Sequence, residues 1–220
     1  MKKYIIGIIL LCFALTACYD LNLSPLDASS DNNFWETESQ LRGATYVCYS
    51  IMQKDMLNFG EGCGESAMWG DPKNALNKIS SGVYPYTIQF PVSSWWNYFY
   101  QNIFYCNKFL ENYKKANISE SVKEKYAAEI KVIRALDYFY LTSLYGDVPL
   151  VTRVLSPEDP EMTAPRTPKQ EVIDYILNDL DQAAAKLGED IPTGENSGRV
   201  NKWTALGLKS RIALFNERWE

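Results

Sequence analysis

From Ser121 to Tyr145 the chain runs without a glycine or a proline, and Gly146 follows. Tyr126, Ile130, Ile133, Asp137, Tyr140 and Leu144 recur at steps of three and four, with Ala127, Arg134 and Leu141 flanking them. That period places them on one side of a long helix. Gly146 falls just past its end, where a left-handed residue is needed. A helix of this length has to bury its apolar side against other elements, so the chain is expected to fold as packed helices.

Further helices are legible around it. Thr37-Glu38-Ser39-Gln40 is a capping box, and Leu41, Ala44, Cys48 and Ile51 follow at helical spacing, fading near Lys54. Ser93 or Ser94 is positioned to cap a helix running to about Tyr113. It is crowded with Trp95, Trp96, Tyr98, Phe99, Tyr100, Phe104, Tyr105 and Phe109. No single stripe holds them all, so either both faces are covered or one face binds something, with the deeper rings assigned to the core. Val148-Pro149-Leu150-Val151 reads as extended, because the residue before proline avoids the helical region. Thr167-Pro168-Lys169-Gln170 opens a helix with Val172, Ile176, Leu180, Ala184 and Leu187 on its apolar face and Gly188 at its end. Asn201 caps a last helix over 202–215, and the chain reads as truncated there. Helices are therefore predicted over 93–112, 121–145, 168–187 and 202–215, the last two as an antiparallel pair.

Trp203, Leu206 and Gly207 match the start of the tetratricopeptide pattern W-x2-L-G-x2-Y, with Ser210 where Tyr is usual. An array of α-hairpins and an ordinary helical bundle both remain open on pattern alone.

Composition narrows the chemistry. The 220 residues are 46% hydrophobic and 22% charged, enough to bury a core. The net charge is -5, with no basic patch, which argues against nucleic acid as a partner. There is no His, which removes His-dependent triads and His-ligated metals. Asp27, Ser29 and Asp31 have a faint calcium-loop spacing without the glycine and distal Glu of that loop. Glu61, Glu65 and Asp71 are the carboxylates from which a glycoside hydrolase pair would have to come. With no nucleophile motif and no metal-ligand cluster, the expectation is no enzyme, no cofactor and no metal.

The first 18 residues are an address. Lys2 and Lys3 precede the apolar run from Ile5 to Leu15, which is too short for a membrane span. Leu15-Thr16-Ala17-Cys18 has the form of a bacterial lipobox, with cleavage after residue 17 and lipidation of Cys18; an ordinary signal peptide with a chance Cys is the alternative. Residues 18–36 read as a tether. Of the remaining thiols, Cys48 and Cys106 fit as small buried hydrophobes on helices, at most one internal disulfide can form, and Cys63 has no assignment.

Leu57 to Val92 is broken by Gly60, Gly62, Gly64, Gly70, Pro72, Gly82, Pro85 and Pro91. No helix of normal length fits there, yet the stretch is rich in rings. Sugar binding needs flat rings against C–H faces, with amides and carboxylates reaching hydroxyls. Trp69, Asp71, Asn74, Tyr84, Tyr86, Trp95, Trp96 and Asn97 supply that inventory and are the candidate ligand contacts. For each ring the competing assignment is the core.

Four segments carry a family resemblance in the same order. They are the lipobox; Pro25-Leu26-Asp27 leading to Asn33-Phe34-Trp35-Glu36-Thr37-Glu38; Ile133-Arg134-Ala135-Leu136-Asp137-Tyr138-Phe139-Tyr140-Leu141 running into Leu144-Tyr145-Gly146-Asp147-Val148-Pro149-Leu150-Val151; and Gly198-Arg199-Val200-Asn201-Lys202-Trp203-Thr204-Ala205-Leu206. The chain resembles the SusD/RagB family of outer-membrane lipoproteins of Bacteroidetes, over essentially its whole length. The resemblance implies a mostly α, truncated SusD-like fold of tetratricopeptide-like helix pairs over 37–220, with the C-terminal part of the family's fold missing. It also implies a surface-exposed nutrient binder, lipid-anchored in the outer membrane, that passes oligosaccharides or peptides to a SusC-like TonB-dependent transporter. A helical-repeat adaptor without a small ligand is the competing class, and it should bury its loop tryptophans.

Overall fold

The computed structural model describes residues 34–52, 62–63, 67–83 and 92–218. Among them six α-helices occur: α1 (Glu38–Ile51), α2 (Ala75–Ser80), α3 (Val92–Asn112), α4 (Glu120–Tyr145), α5 (Lys169–Ala184) and α6 (Lys202–Phe215). The described residues contain no strand, and Val148 and Thr167 meet in an isolated antiparallel bridge.

Polar contacts fix the direction of each neighbour. The Asn102 amide donates to Asp137 at 2.9 Å, and the Tyr113 hydroxyl donates to Glu124 at 2.9 Å, so α4 runs back along α3. Arg134 meets Asp179 at 2.6 Å, while Val148 bridges Thr167, so α5 runs back along α4. Lys209 meets Asp181 at 2.5 Å and Arg218 meets Asp174 at 2.8 Å, so α5 and α6 form the predicted antiparallel pair. The α3–α6 segment is thus an up-and-down helical array, with α1 packed on α3 and α4.

The core is a layer of Trp95, Phe99, Ile103, Tyr138, Ile176 and Ile212 and their neighbours. The one-sided stripe expected on α4 is too narrow. Tyr126 to Ile130, Val132 to Ala135, Asp137 to Phe139, Leu141 and Thr142 are all buried. The helix contacts α1, α3, α5 and α6, so nearly every side of it is covered. Gly146 follows with φ of 71°, the left-handed conformation expected of it.

Two of the caps form as read. Thr37 accepts from the Gln40 N–H while the Gln40 side chain accepts from the Thr37 N–H at 2.9 Å. Asn201 accepts from the Thr204 N–H at 3.0 Å, and Thr204 reciprocates. Two others differ. The ring-rich helix begins at Val92, so Ser93 and Ser94 lie inside its first turn and not at its cap. Thr167 does not cap α5, whose N-terminal flank is Pro168 with no side-chain cap of its own. The Thr167 hydroxyl instead accepts from the Leu150 N–H at 3.2 Å, and its backbone is spent on the bridge to Val148. The cap arrives from the end of α4: the Asp147 carboxylate accepts from the Lys169 N–H at 2.8 Å. A carboxylate there also meets the positive end of the helix dipole. Asp147→Ala should therefore destabilise the fold by about 1 kcal/mol, read by urea denaturation; an unchanged midpoint would mean that the cap is idle.

The extended strap after Asp147 is pinned from below. The Tyr138 hydroxyl donates to the Val151 carbonyl and accepts from the Val151 N–H, both at 2.8 Å. The Tyr100 hydroxyl donates to the Pro149 carbonyl at 2.8 Å, and the Asn107 amide donates to the Val151 carbonyl at 3.0 Å. Burial raises the Tyr138 hydroxyl far above its usual titration range, so it stays a neutral hydrogen-bonding group.

Two arginines are buried with their partners. Arg134 forks between Asp179 at 2.6 Å and Asn107 at 2.7 Å. Arg199 reaches Glu129 at 2.8 Å and the Thr45 hydroxyl at 2.9 Å, enclosed by the rings of Tyr46, Tyr49 and Tyr126. The Tyr49 hydroxyl donates to the same Glu129 oxygen at 2.9 Å and accepts from the Val200 N–H.

Candidate functional site

The segment between α1 and α3 holds the site candidates, and residues 67–83 show how it is built. Its organising piece is the short helix α2. The Asn74 side chain accepts from the Leu76 N–H at 2.8 Å and so caps it, as asparagine does well. Just upstream, the Asp71 carboxylate accepts from the Lys73 N–H at 2.9 Å, an Asx turn. The Asn77 amide donates to the Trp69 carbonyl, which ties the ring-bearing segment to α2. Leu76 packs against the core and roots the unit. Cys63 joins it by a thiol contact to the Leu76 carbonyl at 3.5 Å.

Trp69 stands at the outer edge of this unit with 38% of its surface exposed, next to exposed Met68, Gly70 and Asp71. Its indole occupies the space that a Cβ at Gly62 would need, so one edge of the ring is seated on glycine backbone. A seated, half-open ring with a carboxylate and an amide two and five residues away is a stacking platform with polar reach. Trp69, Asp71 and Asn74 are therefore brought together by α2. The Asn74 carbonyl oxygen is committed to the cap, however, which leaves its amide nitrogen for a ligand.

The remaining candidates separate. Trp95 is a correction: at 4% exposure it lies in the core, on the face of α3 shared with Phe99, Ile103 and Phe109, and offers no ring to a ligand. Trp96 is half-buried in a stack. Its ring lies 5.0 Å from Tyr145 edge-on, 5.0 Å from Tyr100, and 5.4 Å below the Arg166 guanidinium, so its faces are largely taken. Asn97 is exposed on the opposite side of α3. Beside it, Tyr98 and Phe104 are also exposed, which corrects the assignment of the deeper rings to the core. The helical step from Asn97 and Tyr98 through Gln101 to Phe104 was readable, but which stripe faced inward was not. Cys18, Tyr84 and Tyr86, with Asp27, Ser29, Asp31, Glu61 and Glu65, lie outside the described residues.

A concavity elsewhere was not foreseen. It measures about 670 Å³ and lies between α1, α4 and α6, with Tyr49, Leu136, Tyr140, Trp203, Leu208 and Arg211 on its walls. Trp203, the tetratricopeptide tryptophan, is 55% exposed at its rim, and its indole N–H donates to the Glu189 carbonyl at 3.1 Å. Asp137 is among its lining residues, and burial raises its carboxyl well above the ordinary range. No group of three His, Cys, Asp or Glu side chains among the described residues could hold a metal. No helix among them is long and apolar enough to cross a membrane.

Comparison with known proteins agrees with this architecture. A SusD-like family model, described as "Starch-binding associating with outer membrane", matches residues 21–214. SusD-like protein P25 of Formosa agariphila is 26% identical over 98% of this chain and 44% of its own length. A SusD-like protein of Bacteroides ovatus is 25% identical over the whole chain and 40% of its own length. Among solved structures, a SusD-like protein from Bacteroides fragilis superposes with a TM-score of 0.75 at 28% identity, covering 89% of this chain and 38% of that one. A laminarin-binding SusD-like protein superposes with a TM-score of 0.72 at 25% identity, covering 83% and 41%. The chain thus spans less than half the length of the relatives it matches, and its fold corresponds to that share of the SusD-like fold.

Proposed function

The chain belongs to the SusD-like family, and on that premise we propose that it is the N-terminal portion of a cell-surface lipoprotein that binds oligosaccharide and hands it to a SusC-like TonB-dependent transporter in the outer membrane. Residues 1–17 are the export signal, Cys18 carries the lipid, residues 18–36 form the tether, and residues 37–220 belong to the helical domain. The observation that carries the binding role is Trp69, a seated ring left outward beside Asp71 and Asn74. A helical adaptor without a small ligand is expected to bury its loop tryptophans, whereas Trp69 is 38% exposed beside polar groups. Similarity to a laminarin-binding SusD-like protein and to the starch-binding family supports a glycan as the ligand class, and the reading involves no catalytic step and no cofactor.

Trp69→Ala, made in the full-length protein, should weaken binding to laminarin or to starch oligosaccharides about tenfold by calorimetry, while the melting temperature holds. Undiminished affinity for whichever of these glycans the parent binds would move the site elsewhere. The anchor has its own test. Cys18→Ala should shift the protein from the membrane pellet to the soluble fraction, since stable anchoring rests on acyl chains each contributing about 0.8 kcal/mol per buried methylene. A variant that still pellets, beside a parent with no acyl mass, would end the lipid reading.

A further inference from the structure

The concavity of about 670 Å³ between α1, α4 and α6 has two helical walls. On α6 the wall is Trp203, Thr204, Gly207, Leu208 and Arg211; on α4 it includes Val132, Leu136 and Tyr140. Both sets recur at steps of three or four, so each wall is one helical face about 12 Å long. Helices α4 and α6 both run antiparallel to α5, so they are parallel to each other, and the groove between them has the shape that takes a third helix. The side chains of α6 agree. Leu206, Leu208, Ile212, Leu214 and Phe215 lie all round its axis, yet only Ala205 and Ile212 are buried. Trp203, Leu214 and Phe215 are 55%, 63% and 57% exposed. A helix that is apolar on every side is built to be covered on every side.

Gly207 stands in the middle of the α6 wall, and among the described residues a Cβ there would meet nothing within 4 Å. Glycine weakens a helix interior unless a close approach calls for it. The tetratricopeptide pattern that Trp203, Leu206 and Gly207 begin is a helix–turn–helix unit, in which a second helix follows the first. The end of α6 is shaped for such a turn. Glu217 is held at φ of 56°, the Arg218 N–H donates to the Ala213 carbonyl at 2.9 Å, and the Glu217 N–H donates to the Leu214 carbonyl at 3.3 Å. These bonds form a Schellman motif, which turns the backbone off the helix axis. Charge marks the groove as well. Every other arginine of the described residues bonds a carboxylate or a carbonyl, whereas Arg211 in the groove wall has neither. Relatives are long enough to supply the missing helix, since this chain spans only 44% and 40% of two SusD-like proteins. We propose that the groove seats the helix that follows α6 in the full-length protein, antiparallel to α6, with a small side chain against Gly207 and a carboxylate on Arg211. This docking presupposes that the chain is the N-terminal portion of a longer protein, and it needs neither the anchor nor the glycan. Trp203 is then covered by the protein's own chain and is not a second stacking ring.

The test uses the full-length protein. Trp203 is the more open of two tryptophans, at 55% against 38% for Trp69, and uncovered it would be oxidised the faster by hydroxyl radicals. With the groove filled the order reverses, and Trp203 should be oxidised several-fold more slowly than Trp69, read by peptide mass. Gly207→Leu should lower the melting temperature by roughly 3–10 °C, because the added side chain meets the docked helix. Gly43→Leu, on α1 and equally free of neighbours, should hold the melting temperature or raise it. With p-benzoylphenylalanine in place of Trp203, light should cross-link that position to a peptide from beyond Glu220 of the same chain. Faster oxidation of Trp203 than of Trp69 would overturn the proposal. So would a Gly207→Leu variant that melts as the Gly43→Leu variant does, or a cross-link to a second copy or to another protein. Should Gly207→Leu fail to fold, the oxidation order and the cross-link still decide, since neither carries that substitution. The intact mass of the isolated protein separates the two readings. A mass that ends at Glu220 removes the longer protein and the docking with it, whereas failure of the other readouts in a longer protein removes the docking alone.

Discussion

Arg199→Ala should destabilise the domain by about 3–5 kcal/mol, because it leaves Glu129 buried without its cation. The arginine joins α1, through Thr45 and the Tyr46 and Tyr49 rings, to α4, through Glu129 and Tyr126, from the loop that feeds α6. Lysine does not substitute, since the planar fork and the ring contacts are both lost. The variant should also acquire a pH signature. Burial, the largest influence, already raises Glu129 above the ordinary carboxylate range, and Arg199 and Tyr49 pull it back. Without Arg199 the folded-state value climbs further. A raised folded-state value means that the native form keeps its proton at pH values where the unfolded chain has released it. The stability deficit should therefore shrink as the pH falls from 7 towards the carboxylate range. Adding Glu129→Gln should recover part of the loss at pH 7. Urea unfolding at pH 5 and pH 7 checks all three statements; a loss below about 1 kcal/mol at both values would show that the pair is idle.

Trp95→Ala should cost about 3–5 kcal/mol and lower the melting temperature by roughly 6–20 °C, with glycan affinity of the folded protein unchanged. Its indole fills the core against neighbours such as Phe99 and Ile103, and truncation leaves a cavity that packed helices cannot close. Trp69→Ala is its converse, with affinity lost and stability kept. Scanning calorimetry and glycan titration on the two variants together separate a core ring from a binding ring. A Trp95 variant that melts normally but no longer binds would restore the sequence-based assignment.

These two tryptophans show where the sequence was readable. Period located the five longer helices to within a turn, because helical spacing is a local property, but not the short helix α2 between the glycines and prolines. It did not reveal that α4 is covered on almost all sides, since the number of neighbours of a helix is set by the fold and not by its own period. Nor did it separate Trp95 from Tyr98 and Phe104 on α3: with rings on every side, periodicity cannot say which stripe is inward. The most family-specific phrase, from Ile133 to Val151, belongs to the scaffold. Arg134 holds Asp179, Asp137 holds Asn102, Tyr138 holds Val151, and Asp147 caps α5. Its length and order therefore reflect the helical scaffold, although Leu136 and Tyr140 also line the concavity beside α6. Asn74 was singled out for its amide, and half of that amide proved to be a helix cap, an alternative that asparagine always carries.

The strap from Asp147 to Val151 has a consequence for how the domain opens. Its backbone bonds run to Tyr138 in α4 and to Thr167 at the mouth of α5, and its carboxylate closes the first turn of α5. Neither helix end is left to fray on its own, because loosening one withdraws partners from the other. Helices α4 and α5 therefore form one cooperative opening unit. The N–H groups of Val148, Val151 and Thr167, although outside any helix, should exchange with solvent on the timescale of that unit and not on the timescale of a surface loop.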